Sequence, residues 1–133
     1  MTNQQRIFPT PIADPDTKDF WSAAKDGNLM IGSCRSCKEP HYYPRGMCPH
    51  CGSQEVELIR SSGKGKIYSW SVLRKAEPPF AIAYVTLDDG PTMMTNIIEC
   101  DLDGLEIGQR VELKFSPTEE NDGPPVPTFK LAK

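Results

Sequence analysis

Four cysteines, at positions 34, 37, 48 and 51, constrain what this chain can fold into more than any other feature of it. They form two Cys-x-x-Cys pairs with ten residues between them. With no sign of secretion, a disulfide framework is not expected, whereas two thiolate pairs at this spacing suit one tetrahedral metal. Each pair occupies a tight knuckle with both sulfurs on one side, and two facing knuckles complete four-coordination. Gly52, directly after Cys51, suits the sharp backbone turn of such a knuckle, and Lys38 takes the matching place after Cys37. Zinc is the expected cofactor, held by Cys34, Cys37, Cys48 and Cys51; iron, which also accepts four sulfurs, is the alternative. Four protein sulfurs fill the coordination sphere, so the site is expected to be structural and not catalytic. Arg35, Lys38 and Arg45 are near enough in sequence to offset its negative charge. His41 and His50 are expected at the surface, because four thiolates leave them no ligand role.

At 133 residues the chain has room for one domain, or for two small modules that share a core. Its 38% hydrophobic and 25% charged residues and its mean hydropathy of -0.48 are those of a globular protein. No apolar run approaches the ~20 residues that span a bilayer. Residues 1–15 carry a single basic residue, Arg6, and no continuous apolar stretch, so no secretory signal is read there and a cytoplasmic protein is expected. The net charge of -3 conceals a division. Residues 34–75 carry eight Lys/Arg against three Glu, whereas residues 76–133 carry four basic against eleven acidic residues. A local basic surface can therefore meet a phosphorylated ligand while the far half repels a long polyanion.

Thirteen prolines against ten glycines favour turns and short strands over long helices. One short helix is expected: Asp14-Pro15 starts it, Gly27 stops it, and Thr17, Phe20, Trp21 and Ala24 recur on one face. Strands are expected at 29–33, 56–60, 66–73, 81–87, 92–99, 111–115 and 128–131. Asp88-Asp89-Gly90 has the chemistry of a tight hairpin turn, and 119–127 that of an irregular loop. Tyr68, Trp70 and Val72 alternate with their neighbours, which places all three on one face and points that face to the core. Short strands after a four-cysteine ribbon, with no second helix, predict a mainly β fold whose second part is a small Greek-key barrel of the OB type. The expected division is a helical segment at 1–28, the ribbon at 29–60 and the barrel at 61–133.

The ordered set of motifs is specific: Phe20-Trp21 on a leading helix, Cys-Arg-Ser-Cys, Cys-Pro-His-Cys-Gly, Gly63-Lys-Gly-Lys-Ile-Tyr-Ser-Trp-Ser-Val, Ala83-Tyr-Val-Thr-Leu-Asp-Asp-Gly-Pro and Gly108-Gln-Arg-Val. From about Asp19 to Leu131 the chain resembles the family catalogued as domain of unknown function thirty-five. That resemblance implies a rubredoxin-like zinc ribbon joined to an OB barrel. It also implies an acyl-CoA-binding accessory subunit in a hetero-oligomer with a thiolase-superfamily enzyme, such as a thiolase, an aldolase or an acyltransferase of aromatic or steroid breakdown.

The residues agree on one negative point. There is no Gly-x-Ser-x-Gly elbow or phosphate-binding glycine motif, and Cys100, the one cysteine outside the pairs, has no histidine outside the ribbon to serve as its base. Cys100 is expected to be an inert buried thiol. Lys64, Lys66, Arg74 and Lys75 are the candidate contacts for CoA phosphates. Two other readings remain open. A nucleic-acid-binding module is disfavoured by a pI near 5.4, and a rubredoxin-like electron carrier would need iron.

Overall fold

The structure is a computed structural model and describes residues 7–120 and 123–132. Arg6 of the leading segment, and Asn121 and Asp122 of the expected loop, lie outside the described residues. One short helix and two sheets account for the fold. Asp14 caps the turn ahead of the helix: its Oδ1 accepts from the N–H groups of Asp16 and Thr17, each at 3.0 Å. Regular helix begins a few residues later than the sequence signal, as α1, Lys18–Lys25, and Gly27 ends it with φ at +86°. Phe20, Trp21 and Ala24 are its buried face. No helix among the described residues is long and apolar enough to cross a membrane.

The first sheet has the order β2-β1-β3, from β1 (Met30–Cys34), β2 (Pro40–His41) and β3 (Val56–Arg60). Both partners run antiparallel to β1, with Gly32 opposite His41 on one side and Leu58 on the other. The two-residue β2 gives no sequence signal because its length is below any readable alternation.

The second sheet is a closed barrel in the order β4-β5-β6-β8-β7. Its strands are β4 (Lys64–Leu73), β5 (Phe80–Leu87), β6 (Thr92–Ile97), β7 (Arg110–Ser116) and β8 (Val126–Leu131). Antiparallel ladders join all neighbours except β6 and β8, which meet in parallel at Ile97 and Phe129. This five-stranded closure is that of an OB fold, and closure removes the sheet edges that strands this short would otherwise expose. Gly90 in the β5–β6 turn adopts φ of +127°, as a tight hairpin requires.

One apolar core runs through all three parts. Phe20 and Trp21 of α1, Leu29 and Ile31 at the ribbon, and Ile67, Val85, Val111 and Phe129 of the barrel form a single cluster. Edge-to-face ring contacts of Phe20 with Trp21, Tyr42 and Tyr43 seal its outer end. The Trp21 indole N–H donates to the Tyr43 hydroxyl at 3.0 Å.

Candidate functional site

The two knuckles are built alike. Lys38 N–H donates to the Cys34 carbonyl and Gly52 N–H to the Cys48 carbonyl, both at 2.9 Å. Lys38 and Gly52 each sit at positive φ, +66° and +79°, so the backbone turn foreseen after each second cysteine is present in both. The turns interlock crosswise. Cys34 Sγ lies 3.6 Å from Cys51 Sγ, and Cys37 Sγ lies 3.7 Å from Cys48 Sγ. All four sulfurs fall within 4.8 Å of one another. Bonds of about 2.3 Å from a tetrahedral zinc place its sulfurs about 3.8 Å apart, so the donor set fits that ion. Backbone N–H groups of Cys37 and His50 point at the sulfurs of Cys34 and Cys48, at 3.4 and 3.3 Å.

The electrostatics of the cluster favour a cation. The N–H of Cys37, ahead of the opposing effect of burial, holds the Cys34 thiol down to about 6. Cys37 is pushed the other way: the N–H of Glu39 favours its thiolate, but burial and the neighbouring sulfurs outweigh it. Cys51 is pushed up too, with the N–H of Ser53 outweighed by burial and by the sulfurs of Cys34 and Cys48. One thiolate forms readily, and further negative charge beside it is resisted until a divalent ion compensates it. Of the three basic residues expected to balance the site, Arg35 is ion-paired with Glu55 at 3.2 Å.

His50 is exposed, as expected, and its Nε2 lies 3.2 Å from the Pro40 carbonyl oxygen. His41 is not at the surface: 3% of it is exposed, and neither ring nitrogen has a partner among the described residues. Its ring lies over Gly32, where an added Cβ would stand 2.1 Å from Nε2. The pairing of β1 with β2 turns the side chain inward, a contact that no local pattern announces. Burial, ahead of the charges of His50 and Arg45, lowers its pKa and so favours the neutral ring.

The four basic candidates do not form one patch. Lys64 and Lys66 lie at the start of β4, opposite Glu112 and Arg110 of β7. Arg74 follows the other end of β4 and pairs with Asp103 at 2.9 Å, with Lys75 beside it. At about 3.3 Å per strand residue, Lys66 and Arg74 are separated by up to about 26 Å. Their closeness in sequence is spread out by an extended strand.

Between the two ends the alternation on β4 breaks. A register shift between Ile67 and Ser69 makes Tyr68 an extra residue, so Ile67 and Trp70 both pair with inward positions, Val85 and Ala83. Tyr68 is thereby turned outward and is 64% exposed; it does not join the core. Trp70 is 37% exposed and reaches a shallow apolar groove with a volume of about 110 Å³, which Tyr84 and Met94 also line. Cys100 is buried, and burial raises its pKa.

Asp89, at the tip of the β5–β6 turn, had only its place in that turn assigned from the sequence. It accepts from the Ser61 hydroxyl at 2.6 Å and from the Ser62 N–H at 3.3 Å, and so ties the barrel turn to the connection between β3 and β4. The turn chemistry of Asp88-Asp89-Gly90 masked this second use.

A sulfur-clustered ribbon carried on an OB barrel defines a two-module protein with a structural metal centre. Its profile matches confirm the pairing: a "ChsH2, rubredoxin-like zinc ribbon domain" over residues 21–57 and a "ChsH2, C-terminal OB-fold domain" over residues 59–116. The chain belongs to this ChsH2 family of zinc-ribbon and OB-fold proteins, also called DUF35. The metal its ribbon is suited to is zinc.

The relatives carry varied names. A "Probable enoyl-CoA hydratase alpha subunit" of Thermomonospora curvata is 32% identical over 82% of this chain, which spans 36% of that protein's length. A "DUF35 domain-containing scaffold protein" of Methanothermobacter thermautotrophicus is 34% identical over 70% of this chain and 75% of its own. The "Benzoylsuccinyl-CoA thiolase subunit BbsA" of Geobacter metallireducens is 28% identical over 86% of this chain and 83% of its own. Among solved structures, a chain of the "Ltp2-ChsH2(DUF35) aldolase" superposes with a TM-score of 0.79 at 30% identity, covering 92% of this chain and 99% of that one.

Proposed function

We propose that this chain is a non-catalytic accessory subunit that binds the CoA part of an acyl thioester and supports a thiolase-superfamily enzyme in a cytoplasmic hetero-oligomer. The observation that carries the reading is the match over 99% of a chain from the ChsH2-containing aldolase, both modules included. The thiolase subunit BbsA, similar over 83% of its length, points the same way. In this reading residues 29–60 form a zinc-stapled ribbon, with Cys34, Cys37, Cys48 and Cys51 as ligands, and residues 61–133 the barrel that meets the thioester. The helix α1, Lys18–Lys25, closes the core over both. A zinc ion held by four thiolates supplies rigidity, and the work left to the chain is binding and positioning.

The phosphates of one CoA molecule sit together at its nucleotide end, so a single CoA engages either Lys64 and Lys66 or Arg74 and Lys75, not all four. Arg74 is already committed to Asp103, which favours the first pair. The test is co-purification from the native source with identification of the bound subunit and a thioester turnover assay. The reading expects a thiolase-superfamily partner, turnover by the complex and none by this chain alone. Turnover by the isolated chain that Cys100→Ala abolishes would sink it.

Exposed Tyr68 and Trp70 keep a second reading in view, that of a nucleic-acid-binding module. Against it stand the acidic pI of 5.4 and the excess of acidic residues after position 75. The ultraviolet absorbance ratio of the purified protein decides this: retained nucleic acid would move the second reading to first place.

A further inference from the structure

The outer face of β4, β5 and β6 carries large apolar side chains that the fold does not use. Tyr84 is 48% exposed and Met94 59%, and they face each other across the β5–β6 ladder. With Ile82 they line the shallow groove, and Ser69 and Ser71 of β4 share that face. A flat aromatic side chain beside a polarizable thioether suits a planar ring better than a branched aliphatic one, and the two hydroxyls can bond to the ring's polar edge.

Charge lies at one end of the same face. Lys66 is opposite Thr86 on β5, one outward position beyond Tyr84, and Lys64 follows one outward position further along β4. Among the described residues neither lysine has a carboxylate within ion-pairing distance. Asp88, the nearest turn acid, is held by Arg110 through two bonds of 2.8 and 2.7 Å, and Glu112 pairs with Lys130 at 3.5 Å. Two unspent cations therefore stand one strand step from an aromatic groove.

We infer that this groove seats a purine ring against Tyr84 and Met94 while Lys64 and Lys66 hold the phosphates attached to it. CoA and a free nucleotide both present that chemistry; the inference rests on the accessory-subunit reading for CoA, and it adds where the nucleotide lies and which side chains seat its ring.

Calorimetric titration of CoA, adenosine 3′,5′-bisphosphate, ADP and pantetheine into the full chain tests it. CoA and the bisphosphate are expected to bind and pantetheine is not. Tyr84→Ala is expected to weaken both nucleotide ligands about tenfold, the scale of one lost base-stacking contact. Lys66→Glu should do the same and reduce the salt dependence of binding, whereas Lys25→Glu, in the last turn of α1, should leave both affinities unchanged. Equal binding of ADP and the bisphosphate supports the site with a free nucleotide as its ligand. Pantetheine binding without the bisphosphate, no binding of either nucleotide ligand, a Tyr84→Ala protein with wild-type affinity, or a single-stranded oligonucleotide that outcompetes CoA would each overturn the inference. Pantetheine binding alone, or a Tyr84→Ala protein with wild-type affinity, leaves CoA binding by the subunit intact; loss of CoA binding altogether would remove CoA from the accessory-subunit reading as well, while the pairing with an enzyme is tested separately by the co-purified partner.

Discussion

The ribbon and the barrel solve the same problem with opposite means. The ribbon has strands of five, two and five residues, and a sulfur cluster stands where a core would be. The barrel has strands of six to ten residues, closes on itself and encloses fully buried Ile67, Val85, Val111 and Phe129. A small sheet cannot bury enough apolar area to offset the ordering of its chain, so coordination replaces burial. A closed barrel buries enough and needs no staple. The two are nevertheless not independent, because Leu29 and Ile31 extend the barrel's core under α1 and Asp89 ties the β5–β6 turn to Ser61 and Ser62.

The largest test removes the staple. Cys48→Ser should lose the metal and soluble expression together, since structural zinc contributes about 10–16 kcal/mol in small modules, as much as a whole domain's stability. Elemental analysis and yield measure it; a metal-free protein that still folds in full would break the contrast between the modules. Iron in the wild-type protein, with a red colour, would favour the electron-carrier reading.

Phe129→Ala attacks the barrel instead, and should cost about 3–5 kcal/mol in denaturant unfolding. Because the core is continuous, zinc release and loss of barrel structure should occur in one transition. Two separate transitions would show that the modules fold apart.

A smaller effect is expected from Gly32→Ala, whose Cβ would strike the His41 ring. Displacing that ring should cost about 1–3 kcal/mol by overpacking and lower the resistance to chelators with no sulfur touched. Unchanged chelator sensitivity would mean that the sulfur turns hold without β2. Asp89→Ala should have the smallest effect, about 1 kcal/mol, from the lost hydrogen bonds to Ser61 and Ser62. A melting temperature equal to the wild type's would show that the shared apolar core alone joins the modules.

The cysteine cluster was legible because its geometry is local. Two pairs, each with its cysteines three positions apart and with Lys38 and Gly52 positioned to turn, imply two knuckles wherever the chain goes. The barrel was legible as a class from alternation and from the Asp-Asp-Gly turn, and seven of its and the ribbon's strands fall within a few residues of their sequence signals. The two-residue strand Pro40–His41 was not, since alternation needs more length than that.

What the sequence by itself determined about this protein is its metal chemistry, its mainly β class and the order of its parts, all of which rest on patterns read along the chain without knowing which strands pair. Tertiary structure alone decided which faces those parts present. A single extra residue at Tyr68 reversed the side-chain phase along β4, carrying Tyr68 out of the core. Cross-strand pairing drew His41 inward over Gly32, and the extended path of β4 parted Lys66 from Arg74. Side-chain direction in a sheet depends on register, and register is set by partners distant in the chain.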